Sequence, residues 1–282
     1  MCVTSKEANL KGANLRDANL GRASLEAEAR VDYNAGDYPP FAVTVDVAIF
    51  TIVSDALQVL LVERGEPPFL GAWALPGGFV RPDENLDEAA NRELLEETGV
   101  DARSAHLEQL GTYGSPDRDP RMRVVSVAYW AILGDLSELH PAAGSDARDA
   151  GLVPVSKIEA GGLRLAFDHA TIIHEAIERT RSKLEYTTLA TAFCPPEFTI
   201  SQLRRVYETV WNTRLDPGNF HRKVKNTTDF VQPAGAYSDP GDEGGRPAEM
   251  YIPGPALMLD SPLDRGVPVP LRDSYAEGDP LL

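Results

Sequence analysis

Cysteine is nearly absent from this chain, with only Cys2 and Cys194 in 282 residues. Two thiols so far apart give neither a disulfide framework nor a metal-ligand cluster. No apolar run approaches the roughly 20 residues needed to span a bilayer. The chain also starts on polar residues, without the apolar core of a secretory signal. These absences predict a cytoplasmic protein with no membrane partner. Basic charge is short as well: 27 Lys+Arg against 43 Asp+Glu leave a net charge of −16, which taken whole argues against nucleic acid. By segment the balance changes. Residues 1–180 carry 16 Lys+Arg against 29 Asp+Glu and residues 231–282 carry 3 against 9, whereas residues 181–230 carry 8 against 5. One basic segment lies between acidic ones, and local charge governs a DNA footprint. The remaining composition, 43% hydrophobic and 25% charged, is that of a globular chain, with length for two domains.

Residues 78–100 read GFVRPDENLDEAANRELLEETGV. The pattern predicts a helix over Glu84–Thr98, with Asp83 as N-cap and Gly99 closing it. At about 100° per residue, Glu93, Glu96 and Glu97 fall within an arc of roughly 100°. Three carboxylates on one face make a hard-oxygen site of the kind Mg²⁺ or Mn²⁺ takes. The plain alternative is a solvated acidic face. Against it, these anions crowd the last turns of the helix, where the dipole disfavours negative charge by about 0.3–1 kcal/mol each. Arg92, four residues from Glu88 and from Glu96, can offset part of the repulsion.

The spacing Gly78, Glu84, Arg92-Glu93-Leu94, Glu96-Glu97, Gly99-Val100 resembles the signature of the Nudix hydrolases, with every fixed position filled. The resemblance implies a Nudix α/β/α sandwich with a mixed sheet. It also implies a catalytic set of Arg92, Glu93, Glu96 and Glu97, and a metal held by the three glutamates and the carbonyl of Gly77.

Along the chain, residues 8–27 repeat with period five (Ala8-Asn9-Leu10 to Ala23-Ser24-Leu25). They resemble pentapeptide-repeat proteins, yet four repeats make only about one coil. Residues 1–36 are therefore expected as a loosely ordered tail, or else a small cap packed on something else. A Nudix domain is expected over 37–165. Val43–Phe50 and Leu57–Val62 read as strands around a Ser54-Asp55 turn. Gly77 and Gly78 let backbone approach a ligand closely. Ala105–Tyr113, Val124–Leu133 and Leu152–Val155 read as further strands. In the polar loop 114–121, Arg118 and Arg121 could fork onto a diphosphate, or the loop is a charged surface hairpin. Pro116 resembles, by its distance from the box, a proline that shapes the ribose pocket in ADP-ribose pyrophosphatases. A connecting helix follows over 166–186, with Ile172, Ile173, Ala176 and Ile177 on one side. His169 and His174 read as packing or surface residues.

Residues 187–253 read as a second domain. Leu189–Phe193 is a short helix. Thr199-Ile200-Ser201-Gln202 is a capping box opening a helix to about Trp211. Asp216-Pro217 opens a third helix through about Lys225. Phe230–Gln232 and Ala248–Ile252 flank a long Gly/Asp-rich tip. These are the parts of a winged helix-turn-helix, or of a small packing or dimerisation domain. On the third helix Phe220 and Val224 face inward. Asn219 and Arg222 are expected nearest DNA bases, and Lys223, Lys225, Arg204 and Arg205 on phosphates or the domain surface. From Gly254 onward the chain is Pro-rich and acidic, and disorder is expected.

A Nudix domain followed by a winged helix resembles the Nudix-related transcriptional regulators of NAD metabolism, the NrtR family. The stretches that carry it include VTVDVAIFT, GAWALPGGFV, GTYGSPDRDPRMRVVSVAYW, FTISQLRRVYE and GNFHRKV. The resemblance implies a homodimer that binds operator DNA and releases it on binding ADP-ribose or a related nucleotide. Many members have a decayed Nudix box; this box is complete, which favours hydrolysis as well. Gly151-Leu152-Val153-Pro154 lacks the aromatic pair that many relatives carry. Three readings stand: a ligand-responsive regulator, a hydrolase whose second domain only dimerises, and an interaction protein that uses its tails.

Overall fold

The computed structural model describes residues 35–100, 106–134, 147–239 and 247–265. The pentapeptide stretch 8–27 and residues 266–282 lie outside the described residues. A short 3-10 turn, Ala35–Asp37, precedes the sheet.

The central sheet is built on β1 (Ala42–Val53) and β2 (Ala56–Arg64), antiparallel and joined at Ser54 and Asp55. Both turn residues take positive φ, 50° and 56°. Such a two-residue turn matches the right-handed twist of its strands. β3 (Trp73–Ala74) pairs with β2, and β4 (Gly77–Phe79) pairs with β1. β5 (His106–Tyr113) lies antiparallel to β6 (Val124–Ile132), and β6 runs parallel to β1. β7 (Ala147–Pro154) closes on β2. The sheet is therefore mixed.

Alternation along β1 sends its side chains to two layers. Val45, Val47 and Ile49 pack with Ala89, Ala90 and Leu94 of α1 (Leu86–Thr98). Ala48 and Phe50 pack on the opposite face with Ile172, Ile173, Ala176 and Ile177 of α3 (His169–Tyr186). A short α2 (Val155–Glu159) precedes α3. Helix α1 starts two residues later than the sequence suggests. Its N-cap is Asn85 rather than Asp83, because Asn85 and Glu88 cap each other's backbone N–H in a reciprocal box. Glu88 is thereby committed to the cap, and Arg92 pairs with Glu84 in its place.

The winged-helix portion comprises a 3-10 turn Leu189–Phe193, α4 (Ile200–Trp211), α5 (Pro217–Asn226) and a three-stranded sheet. In that sheet β10 (Glu249–Pro253) lies between β8 (Phe198–Thr199) and β9 (Val231–Tyr237). Thr199 caps α4 and Asp216 caps α5, as their sequences suggest. Phe220 and Val224 are buried. This portion shares one continuous apolar cluster with the α3 face of the Nudix sheet, running from Phe50 and Trp130 through Leu184 to Phe198, Tyr207 and Phe230. Helix α3 belongs to both halves.

Residues 254–265, expected to be disordered, are laid along α3 in extended form. Leu259 and Leu263 donate backbone N–H groups to the Tyr186 and Glu185 carbonyls, at 2.7 and 2.8 Å. Their side chains join the main core at 8% exposure each. The two leucines seat the segment together with backbone bonds from Gly254 and Ala256 to Phe230 and Asp229 and with ion pairs from Arg265 to Glu178 and Glu185. Leu259→Ala should cost roughly 2 kcal/mol, near the lower end for a buried leucine. Leu257→Ala, at a side chain 81% exposed, should leave the urea midpoint unchanged.

Candidate functional site

A cavity of about 500 Å³ opens between β1, the Gly77-Gly78 segment, α1, the 118–121 loop and the start of α3. Close approach defines its floor. A Cβ at Gly77 would collide with the Val45 carbonyl, and one at Gly78 with the Glu93 carboxylate. Glycine at both positions lets α1 bring its acids against the β-strand backbone.

Arg92 organises those acids. It donates to Glu84 at 2.5 and 2.8 Å, to Glu93 at 2.7 Å, to Glu96 at 3.1 Å and to the Phe79 carbonyl at 3.2 Å. Its hydrogen bonds pull the Glu84 carboxyl down to about 2. Glu96 also meets Arg81 at 3.3 Å. Glu97 accepts the Gly77 N–H at 2.9 Å. Burial above all, then repulsion from Glu93 and Asp46, pushes Glu97 up to about 7 against that hydrogen bond. Glu93 is raised too, chiefly by burial, although Arg92 opposes the shift.

Among the described residues no three His, Cys, Asp or Glu side chains are gathered at ligating geometry. Glu93, Glu96 and Glu97 are held by Arg92, Arg81 and Gly77. The donor set nevertheless suits a divalent cation. Its ligands are carboxylate oxygens, and Glu93 and Glu97 resist ionisation chiefly because they are buried, a cost that a bound cation would offset.

The 118–121 loop differs from expectation. Arg118 is buried, and its guanidinium is committed to Asp168, at 2.7 and 3.0 Å, and to Asp46 at 3.4 Å. Burial opposes its charge, but the two carboxylates prevail and hold it fully protonated. Asp46 further accepts the Ser126 hydroxyl and lies 3.4 Å from His169 Nε2. Arg118 therefore locks the cavity wall, and its fork onto a diphosphate is not available in this arrangement. Arg121 remains closer to the expected role. Its Nε and Nη2 also fork onto a carboxylate, Asp119, at 3.0 and 2.7 Å, but its side chain stays 44% exposed and its guanidinium lies over the Phe79 and Phe167 rings at 5.6 and 6.0 Å. Pro116 is exposed and does not line the cavity.

Sequence reasoning missed Asp46, Phe167 and Asp168 as site residues, and read His169 as a packing or surface residue. Asp46 carried a signal, as the one charged residue in the β-branched run of β1. His169 is buried, its Nδ1 accepting the Leu75 N–H at 2.9 Å, and burial lowers its pKa. The unfolded chain binds a proton at His169 more readily than the native one, so stability should fall as pH drops below about 6.5. Thermal melts from pH 7.5 to 5 should show a shallower decline for His169→Gln than for the unmutated chain. Equal slopes would place the titration elsewhere.

On α5 the structure brings Asn219 and Arg222 together on an exposed face, Arg222 donating to the Asn219 side chain at 2.6 Å. Lys225 pairs with Glu249 at 3.2 Å, and Lys223 donates to Ser261 at 2.7 Å. Arg204 and Arg205 instead line a separate cavity beside α4. Among the described residues no helix is long and apolar enough to cross a membrane.

Comparison with known proteins bears on this arrangement. The family model of the NUDIX domain matches residues 43–176, and that of the NrtR DNA-binding winged helix domain matches residues 190–252. An ADPR responsive transcriptional repressor, NtrR, from Acinetobacter baylyi is 36% identical over 235 residues, 81% of this chain and 88% of that protein. This chain belongs to the NrtR family. NrtR of Shewanella oneidensis, crystallised with a 27mer DNA, superposes with a TM-score of 0.66 at 30% identity, over 79% of this chain and 99% of that one. An ADP-ribose pyrophosphatase of Methanocaldococcus jannaschii is 40% identical over 131 residues, 46% of this chain and 71% of its own length. As an NrtR-family chain, this protein joins the Nudix cavity and the winged helix through α3. Its first turn lines the one and its last turns lie in the core of the other.

Proposed function

We propose that this protein is an ADP-ribose-responsive, operator-binding transcriptional regulator of NAD metabolism whose Nudix site also cleaves ADP-ribose to AMP and ribose 5-phosphate. The observation that carries the reading is the shared helix. Eighteen residues of α3 span about 27 Å between the carboxylate-lined cavity and the winged-helix core. A ligand in the cavity, which Phe167 and the first residue of α3 line, would thus act on an element packed against the winged helix. The Acinetobacter and Shewanella relatives support the DNA partner, and the pyrophosphatase supports the substrate.

For cleavage, Glu93, Glu96, Glu97 and the Gly77 carbonyl would hold Mg²⁺ or Mn²⁺, which supplies positive charge to neutralise a diphosphate. Arg92 keeps Glu93 and Glu96 on one side of α1. Glu93 or Glu97 takes the proton of the attacking water. Arg121, over its two phenylalanine rings, offers the cavity a cation. On DNA, a homodimer presents two α5 helices to successive major grooves, about 34–36 Å apart.

Two measurements test this. Purified protein with Mg²⁺ or Mn²⁺ should release AMP from ADP-ribose, and ADP-ribose should dissociate it from the upstream region of its own operon in a gel shift. Absence of AMP would leave the box as a binding relic, and a shift indifferent to ADP-ribose would leave only an enzyme. Arg121→Ala should weaken ADP-ribose binding by about 10-fold or more, the loss of a charge-assisted contact. Calorimetry giving unchanged affinity would move the diphosphate elsewhere in the cavity.

A further inference from the structure

A second cavity, of about 520 Å³, lies where the Nudix sheet meets the winged helix. It is lined by the β1–β2 turn (Asp55, Ala56, Leu57), by α2, and by α4 with the turn that follows it. Its charged groups are unevenly engaged. Arg181 is held by Glu159 at 3.1 Å and Glu178 at 2.8 Å, and Glu208 accepts the Leu215 N–H at 2.8 Å. Arg205 and Arg214 are exposed and hold no ion pair among the described residues. Arg204 makes one long contact, 3.5 Å to the Leu215 carbonyl, and its Nε is buried without a hydrogen-bond partner. Native structures seldom leave a buried donor unpaired, because its desolvation is then uncompensated.

We propose that this cavity is a second ligand site, separate from the Nudix cavity, for a small phosphate-bearing anion. Three guanidinium groups that hold no carboxylate among the described residues, those of Arg204, Arg205 and Arg214, provide the forked N–H donors that phosphate oxygens match. Asn212, in the same lining, adds a neutral donor, while the Thr209 hydroxyl donates to the Asp55 carbonyl at 3.5 Å. The volume lies in the range of small-molecule sites. Operator DNA offers the same phosphate chemistry, but Asp55 and Glu159 in the lining oppose a long polyanion, and a concavity of this size suits a compact one. The lining comes from both halves of the core. An occupant therefore ties the β1–β2 turn to α4 and biases the winged helix independently of the Nudix cavity.

Inorganic pyrophosphate, titrated calorimetrically into the full chain with EDTA present, tests the site. At least one equivalent should bind, and one should remain in Arg121→Ala, whose Nudix cavity has lost its diphosphate contact. Arg214→Ala should weaken that remaining equivalent about tenfold or more. Arg214 is exposed, so the variant should keep its melting temperature, and Arg214→Lys should recover part of the affinity. Absence of binding, or equal binding in Arg214→Ala, overturns the proposal. Loss in Arg121→Ala alone assigns the anion to the Nudix cavity and overturns it equally. An Arg214→Ala chain that binds operator more weakly, where the unmutated chain takes up no pyrophosphate, assigns the arginines to the DNA backbone. ADP-ribose cleavage is assayed separately, so failure here leaves the enzymatic reading standing.

Discussion

Glu97→Gln is expected to lower kcat for ADP-ribose cleavage by about 10²- to 10⁴-fold, the range associated with losing a positioned proton-transfer group. The substitution keeps the shape of the side chain. The amide oxygen introduced there can still accept the Gly77 N–H that Glu97 accepts at 2.9 Å, so the floor of the cavity should stay in place. What is lost is a carboxylate that would hold the metal or take the water proton, and that burial raises to about 7 in the protein without metal. Removing that buried negative charge also relieves repulsion on Glu93 and Asp46. Without metal the variant should therefore be at least as stable as the parent at neutral pH. Steady-state AMP release, together with calorimetric ADP-ribose affinity in the same buffer, checks both parts. A variant that retains turnover would move the chemistry to Glu93. A variant that loses ADP-ribose binding as well would make Glu97 part of the binding site alone. The variant also yields a sensor that cannot consume its effector. With it, saturating ADP-ribose should weaken the operator complex, and operator DNA should weaken ADP-ribose binding by the same factor, since coupling free energies are reciprocal.

The second large effect is expected at Arg222. Its guanidinium is exposed on α5 and steadied by the Asn219 side chain at 2.6 Å, which sets side by side the two residues expected nearest DNA bases. A bidentate arginine–base contact contributes about 1–3 kcal/mol of discrimination. Lost from both subunits of a dimer, it should reduce operator affinity by roughly 30-fold to 10⁴-fold and relax specificity at two symmetric positions. Lys223→Ala should behave differently. Lys223 is turned toward Ser261 at 2.7 Å, so its role on DNA is at most a phosphate contact. Losing it should lower the slope of log K against log salt by about 0.9 per subunit with specificity intact. Fluorescence anisotropy over a salt series separates the two outcomes. Equal losses on operator and random DNA for Arg222→Ala would make it another phosphate contact.

The sequence alone determined the elements whose causes are local. The spacing of the box placed Glu93, Glu96 and Glu97 on one face of a helix. Thr199 with Gln202, and Asp216 with Pro217, fixed the starts of α4 and α5 by capping chemistry acting over three residues. Periodicity put Ile172, Ile173, Ala176 and Ile177 on one side of α3, because burial of one face writes a period into the chain. Only the tertiary structure decided which charged groups meet. Asp46, Arg118, Asp168 and His169 lie far apart in sequence, and their cluster exists because β1, the 118–121 loop and the start of α3 converge. The same convergence withdrew Arg118 from the diphosphate and left Arg121 beside Phe79 and Phe167. Length and composition suggested two independent domains, yet α3 carries one apolar cluster through both halves. The two leucines that seat residues 254–265 are invisible to composition, because a tail becomes ordered by the groove it meets.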